Sequence, residues 1–210
     1  YTYRLNQIYR DIDMACSVDT NEKKSATATR EIDFIMKRLS RKSPLMNISQ
    51  SMLHPESELN NEKGMLALYN AKQLTKGSGS IFIALFEIDN HAKLSNALSK
   101  EDMAGIYKKI ADIISLYEQP MDVIAHLDNH NIIFIMSRSS KDAALSEAEK
   151  ILQAVHDSSF NTAKGPLKIT LSGSFSLKTP ASTLETSILD AAKILTKAKE
   201  SGGNRIAQLR

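Results

Sequence analysis

The sequence predicts an α/β layer fold, a mixed sheet flanked by helices, with a helical extension in front of it. Three observations predict it. From residue 54 to 209, stretches with helical apolar spacing alternate with short apolar runs rich in branched and aromatic residues. In the middle of that span, two apolar runs at 123–127 and 132–136 flank Asp128, Asn129, His130 and Asn131, the pattern of a β-hairpin with a polar tip. Before residue 50 the apolar residues instead recur in steps of three and four, as on one face of a helix.

That first segment is taken as residues 1–50. Leu5, Ile8, Ile12 and Ala15 follow a 3-4-3 spacing. A polar stretch at 17–26 interrupts it, and Ala28, Ile32, Ile35 and Leu39 resume at 4-3-4. Two short amphipathic helices with a polar connector resemble a HAMP-type signalling module, whose helices pair with a second chain in a parallel bundle. The plainer alternative is a helical linker packing on its own domain. Residues 41–51 include Pro44, have no period, and read as a junction.

The second segment spans 54–210. Residues 60–74 suit a helix carrying Met65, Leu66, Tyr69 and Leu74. The glycines at 77 and 79 mark a turn. The unbroken apolar run 81–86 predicts a buried central strand. A helix over 99–117 presents Ile106, Ile110, Ile113, Ile114 and Tyr117. The hairpin follows, then a helix over 141–156, a strand over 167–177 and a helix over 183–200 that Gly202 and Gly203 end. Residues 205–209 suit a short edge strand.

Composition sets limits. The chain has 210 residues, 42% hydrophobic and 24% charged, so it can build an ordinary core. A net charge of +3 without a basic, aromatic-interleaved stretch argues against direct nucleic-acid binding. The single Cys16 leaves no disulfide framework or thiolate metal cluster, as in a reducing compartment. The chain starts at Tyr1, so it is expected to be part of a longer protein.

The order of elements and the turn residues resemble the GGDEF domain, the diguanylate cyclase fold, over about residues 54–209. Leu59 and Asn61 fit its D-x-L-T-G-L-x-N motif, with Pro55 ahead of them. Glu87-Ile88-Asp89 falls at the D-x-D strand end. Asp122 matches the last residue of the inhibitory R-x-x-D, read here as Gln119-Pro120-Met121-Asp122. Thr170 to Ser174 resembles T-x-S-x-G with Ser174 replacing the glycine, and residues 198–205 resemble the closing A-K-x-x-G-R-N-x. The signature Gly-Gly-Asp/Glu-Glu-Phe falls on Asp128, Asn129, His130, Asn131 and Ile132.

The resemblance implies a lost reaction. The family's glycines let phosphates approach the backbone, and Asp128 and Asn129 carry side chains there. His130 replaces a carboxylate that would bind Mg²⁺, a cation that prefers hard oxygen ligands. Asn131 cannot take a proton as a carboxylate does. The guanine contacts fall on Ser95 and Ala104, and the Arg partner of Lys199 falls on Gly203. Vestigial nucleotide contacts then fall to Asn61, Ser95 and Lys199. A vestigial Mg²⁺ site falls to Glu87 and Asp89, which otherwise read as solvated residues at a strand end. Lys199 otherwise reads as a cation in the last turn of a helix, complementing its dipole. His91 and His126 read as helix-start and strand residues without metal-motif spacing to carboxylates, and His130 as an exposed turn residue, the alternative being a ligand or proton switch. Tyr107, Tyr117 and Phe134 read as core.

The expectation is therefore a catalytically inactive GGDEF-type signal-relay domain of a bacterial cyclic di-GMP-related protein. It would need no cofactor and act through a homodimer formed by its N-terminal helices. The resemblance further implies an EAL domain or effector protein as partner, and a place in the cytoplasmic part of an inner-membrane protein. Two alternatives stay open: a GTP- or nucleotide-binding allosteric module without cyclase activity, and an adaptor in RNA turnover.

Overall fold

The computed structural model describes residues 50–73 and 79–208. The expected N-terminal helices, most of the turn at 76–79 and the last residues of the edge strand lie outside the described residues. A 3-10 turn at Gln50–Met52 opens a lead-in loop to α1 (Glu62–Gln73). Then come β1 (Ser80–Ile88), α2 (His91–Ala97), α3 (Lys100–Ser115), β2 (Val123–His126), β3 (Ile132–Arg138) and α4 (Lys141–Asp157). The chain ends with β4 (Phe160–Thr162), β5 (Gly165–Leu167), β6 (Leu171–Leu177), α5 (Leu184–Glu200) and β7 (Ile206–Gln208). The α/β fold expected from the sequence is the one observed, a mixed sheet flanked by helices.

Helix starts follow local chemistry. Ser99, Ser140 and Thr183 each accept the N–H three residues on, from Asp102, Ala143 and Thr186. Asn61 Oδ1 does the same for Gly64 N–H at 3.0 Å. Such bonds satisfy helix-end donors, and losing one costs about 1 kcal/mol.

The main sheet has the order β2-β3-β1-β6-β7, with β7 parallel to β6 and the other neighbours antiparallel. The apolar run in β1 is explained by burial on both faces. Phe82, Ala84, Phe86 and Ile88 join one core with Ile106, Ile110 and Ile114 of α3 and Ile151 and Val155 of α4. Ile83 and Leu85 join a second core with Met65 of α1 and Leu184, Ala191 and Leu195 of α5. Alternation along the strand thus divides one apolar segment between two layers. Among the described residues, no helix is long and apolar enough to cross a membrane.

Two expectations need correction. The strand over 167–177 is two elements: Leu167 pairs with Phe160 in a separate two-stranded ribbon, and β6 begins at Leu171. Ala163 and Lys164 make the turn of that ribbon, and Gly165 leaves it at φ 108°, a conformation available to glycine. A short helix, α2, also intervenes between β1 and α3. It follows Asn90 in the left-handed region at φ 56°, which redirects the chain as it leaves the strand.

Candidate functional site

The hairpin base is built around Asp122, which is fully buried. Its Oδ1 accepts from Arg138 Nη1 at 2.7 Å and its Oδ2 from Arg138 Nη2 at 2.8 Å. The backbone N–H groups of Gln119 and Ser137 donate to it as well. Arg138 also reaches Glu147 Oε2 on α4 at 2.6 Å. Burial works against the Arg138 charge, but its hydrogen bonds to Asp122 and Glu147 and their negative charges together outweigh it and hold the guanidinium firmly protonated. Asp122 thus anchors the hairpin from within.

The tip is different. Leu127 N–H bonds Asn131 O at 2.8 Å and His130 N–H bonds Leu127 O at 3.1 Å, so the turn proper is Asp128, Asn129 and His130. All three are exposed, and His130 sits at φ 67°. Asn131, expected as part of the polar tip, is buried, and its Oδ1 has no protein partner. Ile132 is buried and pairs with Phe86 across the ladder.

The carboxylates at the end of β1 are both engaged. Glu87 Oε1 accepts from Lys199 Nζ at 2.5 Å. Asp89 Oδ1 accepts from Ser172 Oγ at 2.5 Å, and Oδ2 from Thr170 Oγ1 at 2.6 Å and Asn204 N–H at 2.9 Å. The loop after α5 wraps this carboxylate closely. A Cβ on Gly203 would lie 2.9 Å from Asp89 Oδ1, and φ there is 72°, so glycine is required. Glu87 and Lys199 are thus brought together, as a pair with each other. Asn61 bonds Ser51 O and Gly64 N–H, and Ser95 Oγ donates to Ala92 O within its own helix. An open cleft of about 550 Å³ is lined by Asp89, Lys93, Leu94, His156, Lys168 and Thr170. Neither Ser95, Ala104 nor the hairpin tip lines it.

The sequence spacing did not reveal a cluster of four histidines from separate parts of the chain. His54 of the lead-in loop stacks on His126 of β2 with ring centroids 3.7 Å apart. His91 of α2 stacks on His130 of the tip at 4.2 Å. Buried Tyr107 of α3 lies between the pairs, 4.3 Å from His126 and 6.1 Å from His91. Burial foremost, reinforced by the neighbouring imidazoles His54, His130 and His91, pushes the His126 pKa down to about 3. Burial also lowers His54 and His91. At neutral pH the rings of His54, His91 and His126 are neutral and carry lone pairs. The separations of 37, 35 and 4 residues along the sequence carry no motif; only the tertiary fold assembles them.

No protein-family model matches the chain, and no curated protein matches it. Solved structures do. The diguanylate cyclase SiaD of Pseudomonas aeruginosa, in complex with its activator SiaC, superposes with a TM-score of 0.69 at 14% identity, covering 99% of this chain and 81% of its own. The coiled coil and GGDEF domain of DgcB from Caulobacter crescentus, in complex with c-di-GMP, gives 0.68 at 18%, covering 90% and 98%. The FimX GGDEF domain from P. aeruginosa gives 0.65 at 14%, covering 75% and 99%. By its sheet order, its flanking helices and these superpositions, the chain has the GGDEF fold.

Proposed function

We propose that this domain is a catalytically inactive GGDEF-type module that relays signals in a cyclic di-GMP-related protein. The observation that carries this reading is the hairpin tip. By the resemblance, Asp128 and Asn129 fall where backbone would meet phosphate and His130 where a metal would need a carboxylate, and Asn131 is folded inward. Phosphoryl transfer depends on positioned metals and charge clamps. Here Glu87 is tied to Lys199, and Asp89 is tied to Thr170, Ser172 and Asn204. Signal relay would then run through protein contacts, with homodimerisation through the N-terminal segment and an EAL domain or effector as partner. The domain would work in the cytoplasmic part of a membrane-anchored parent. Incubation with GTP and Mg²⁺ or Mn²⁺ is expected to yield no cyclic di-GMP; appreciable product would overturn the reading.

A second reading is retention of GTP as an allosteric ligand. Lys199 and Glu87 favour it, because they meet at a partly solvent-exposed edge where phosphate and cation could exchange for the pair. Calorimetry with GTP and Mg²⁺ separates the two readings. Metal-dependent binding should vanish in Glu87→Ala.

A further inference from the structure

The geometry points to a transition-metal site, of the kind that takes Zn²⁺, formed by His54, Glu56 and His126. One ring nitrogen of each histidine and one carboxylate oxygen of Glu56 all lie within 4.8 Å of one another. This is the one such group found among the described residues. It shares no residue with the Glu87 and Asp89 carboxylates, and it does not depend on the functional reading above.

The independent observation is His126. Its side chain is fully buried, yet Nε2 has no hydrogen-bond partner. An unmet buried polar atom costs about 1–3 kcal/mol, so its retention calls for an explanation. Nδ1 lies 3.1 Å from Ser57 Oγ. With Nδ1–H donating to that hydroxyl, Nε2 carries the lone pair. A second hydrogen bond of this kind fixes the tautomer and orientation of metal-binding imidazoles. Ser57 is itself held through Leu59 N–H, which donates to its Oγ at 3.3 Å.

The donor set decides the metal class. Two imidazoles and one carboxylate suit Zn²⁺ and neighbouring borderline ions, whereas Mg²⁺ prefers oxygen alone. Ligand atoms around tetrahedral Zn²⁺ sit about 3.3 Å apart, given bonds of about 2.0–2.1 Å. The three donors must therefore draw together. His54 and Glu56 sit half-buried on a turn around Pro55, and His54 would leave its face contact with His126, at 3.7 Å between ring centroids, to turn a nitrogen toward the metal. The bond they would give up, Glu56 N–H to His54 Nδ1, is long at 3.3 Å. His126 stays fixed in its strand. The metal would supply the missing partner of Nε2 and pin the lead-in loop to β2.

Calorimetry of the chelator-stripped 210-residue chain with ZnCl₂ is the test. The expected result is one equivalent bound with micromolar or tighter affinity, and a higher melting temperature on loading. Glu56→Gln and His54→Ala, at half-buried positions, should each weaken binding tenfold or more while keeping the far-UV circular dichroism of the parent. His91→Ala, in the other stacked pair, should leave affinity unchanged. Two results would overturn the proposal: no saturable binding, or binding that survives His54→Ala and disappears in His91→Ala.

Discussion

The two ends of one hairpin differ sharply in how their polar groups are satisfied. At the base, Asp122 is fully buried, and Arg138 and two backbone N–H groups meet its oxygens. At the tip, His126 Nε2 and Asn131 Oδ1 are buried and have no partner. The strand residues between them are apolar apart from Ser137. A buried charge survives only with compensation, so the base is specified by folding itself. Unmet groups at the tip cost stability, and stability alone gives no reason for them. The difference teaches where in this fold to look for function: next to the orphaned atoms, and away from the best-bonded ones.

The comparison can be broken most directly at the base. Arg138→Met leaves Asp122 buried without its counter-charge, and an expected loss of about 3–5 kcal/mol should appear in urea unfolding. A loss under about 1 kcal/mol would mean the base is not the anchor described.

The tip is sharpened by acid. Folded His126 resists protonation down to about 3, whereas the unfolded side chain titrates near 6.5. Between those values the unfolded chain takes up the extra proton, so stability must fall as pH falls. His54 and His91 act in the same direction, with Glu56 offsetting part of the effect on each. With chelator present, the expected slope from pH 6.5 to 5.5 is up to about 1.4 kcal/mol per pH unit from His126 alone. His126→Gln should flatten it, and an unchanged slope would remove His126 from the account.

The smallest effect is expected at the end of β1. The Lys199–Glu87 pair is partly exposed, so Lys199→Ala should cost only about 0.2–1 kcal/mol in the same unfolding assay. A much larger loss would make that pair a second anchor and blur the contrast.

Much of the fold was legible because the signals are local. Ser99, Ser140 and Thr183 begin helices within a residue of where spacing placed them, and the run from Ile81 gave away the central strand. The β4–β5 ribbon was missed although Gly165 and Pro166 marked a break, because Leu167 continued an alternating pattern into β6. The site was less legible. Arg138 is 16 residues from Asp122, and their pairing follows from hairpin register, which no spacing rule encodes. His54, Glu56 and His126 meet only because the lead-in loop crosses β2. Asn131 looked like a turn residue by type, but the closing bond to Leu127 puts it inside the strand end.

The lead-in loop has a consequence for behaviour in solution. β2 is an outermost strand of the sheet, and such a strand offers unpaired amides to other chains. Here Asn60 occupies that edge: its carbonyl accepts His126 N–H at 2.8 Å and its Nδ2 donates to Ile124 O at 2.8 Å. One asparagine thus acts as a stopper against intermolecular strand pairing. Its contact with β2 spans more than sixty residues of sequence. Loss of that contact would leave the amides of this edge free to pair with another chain.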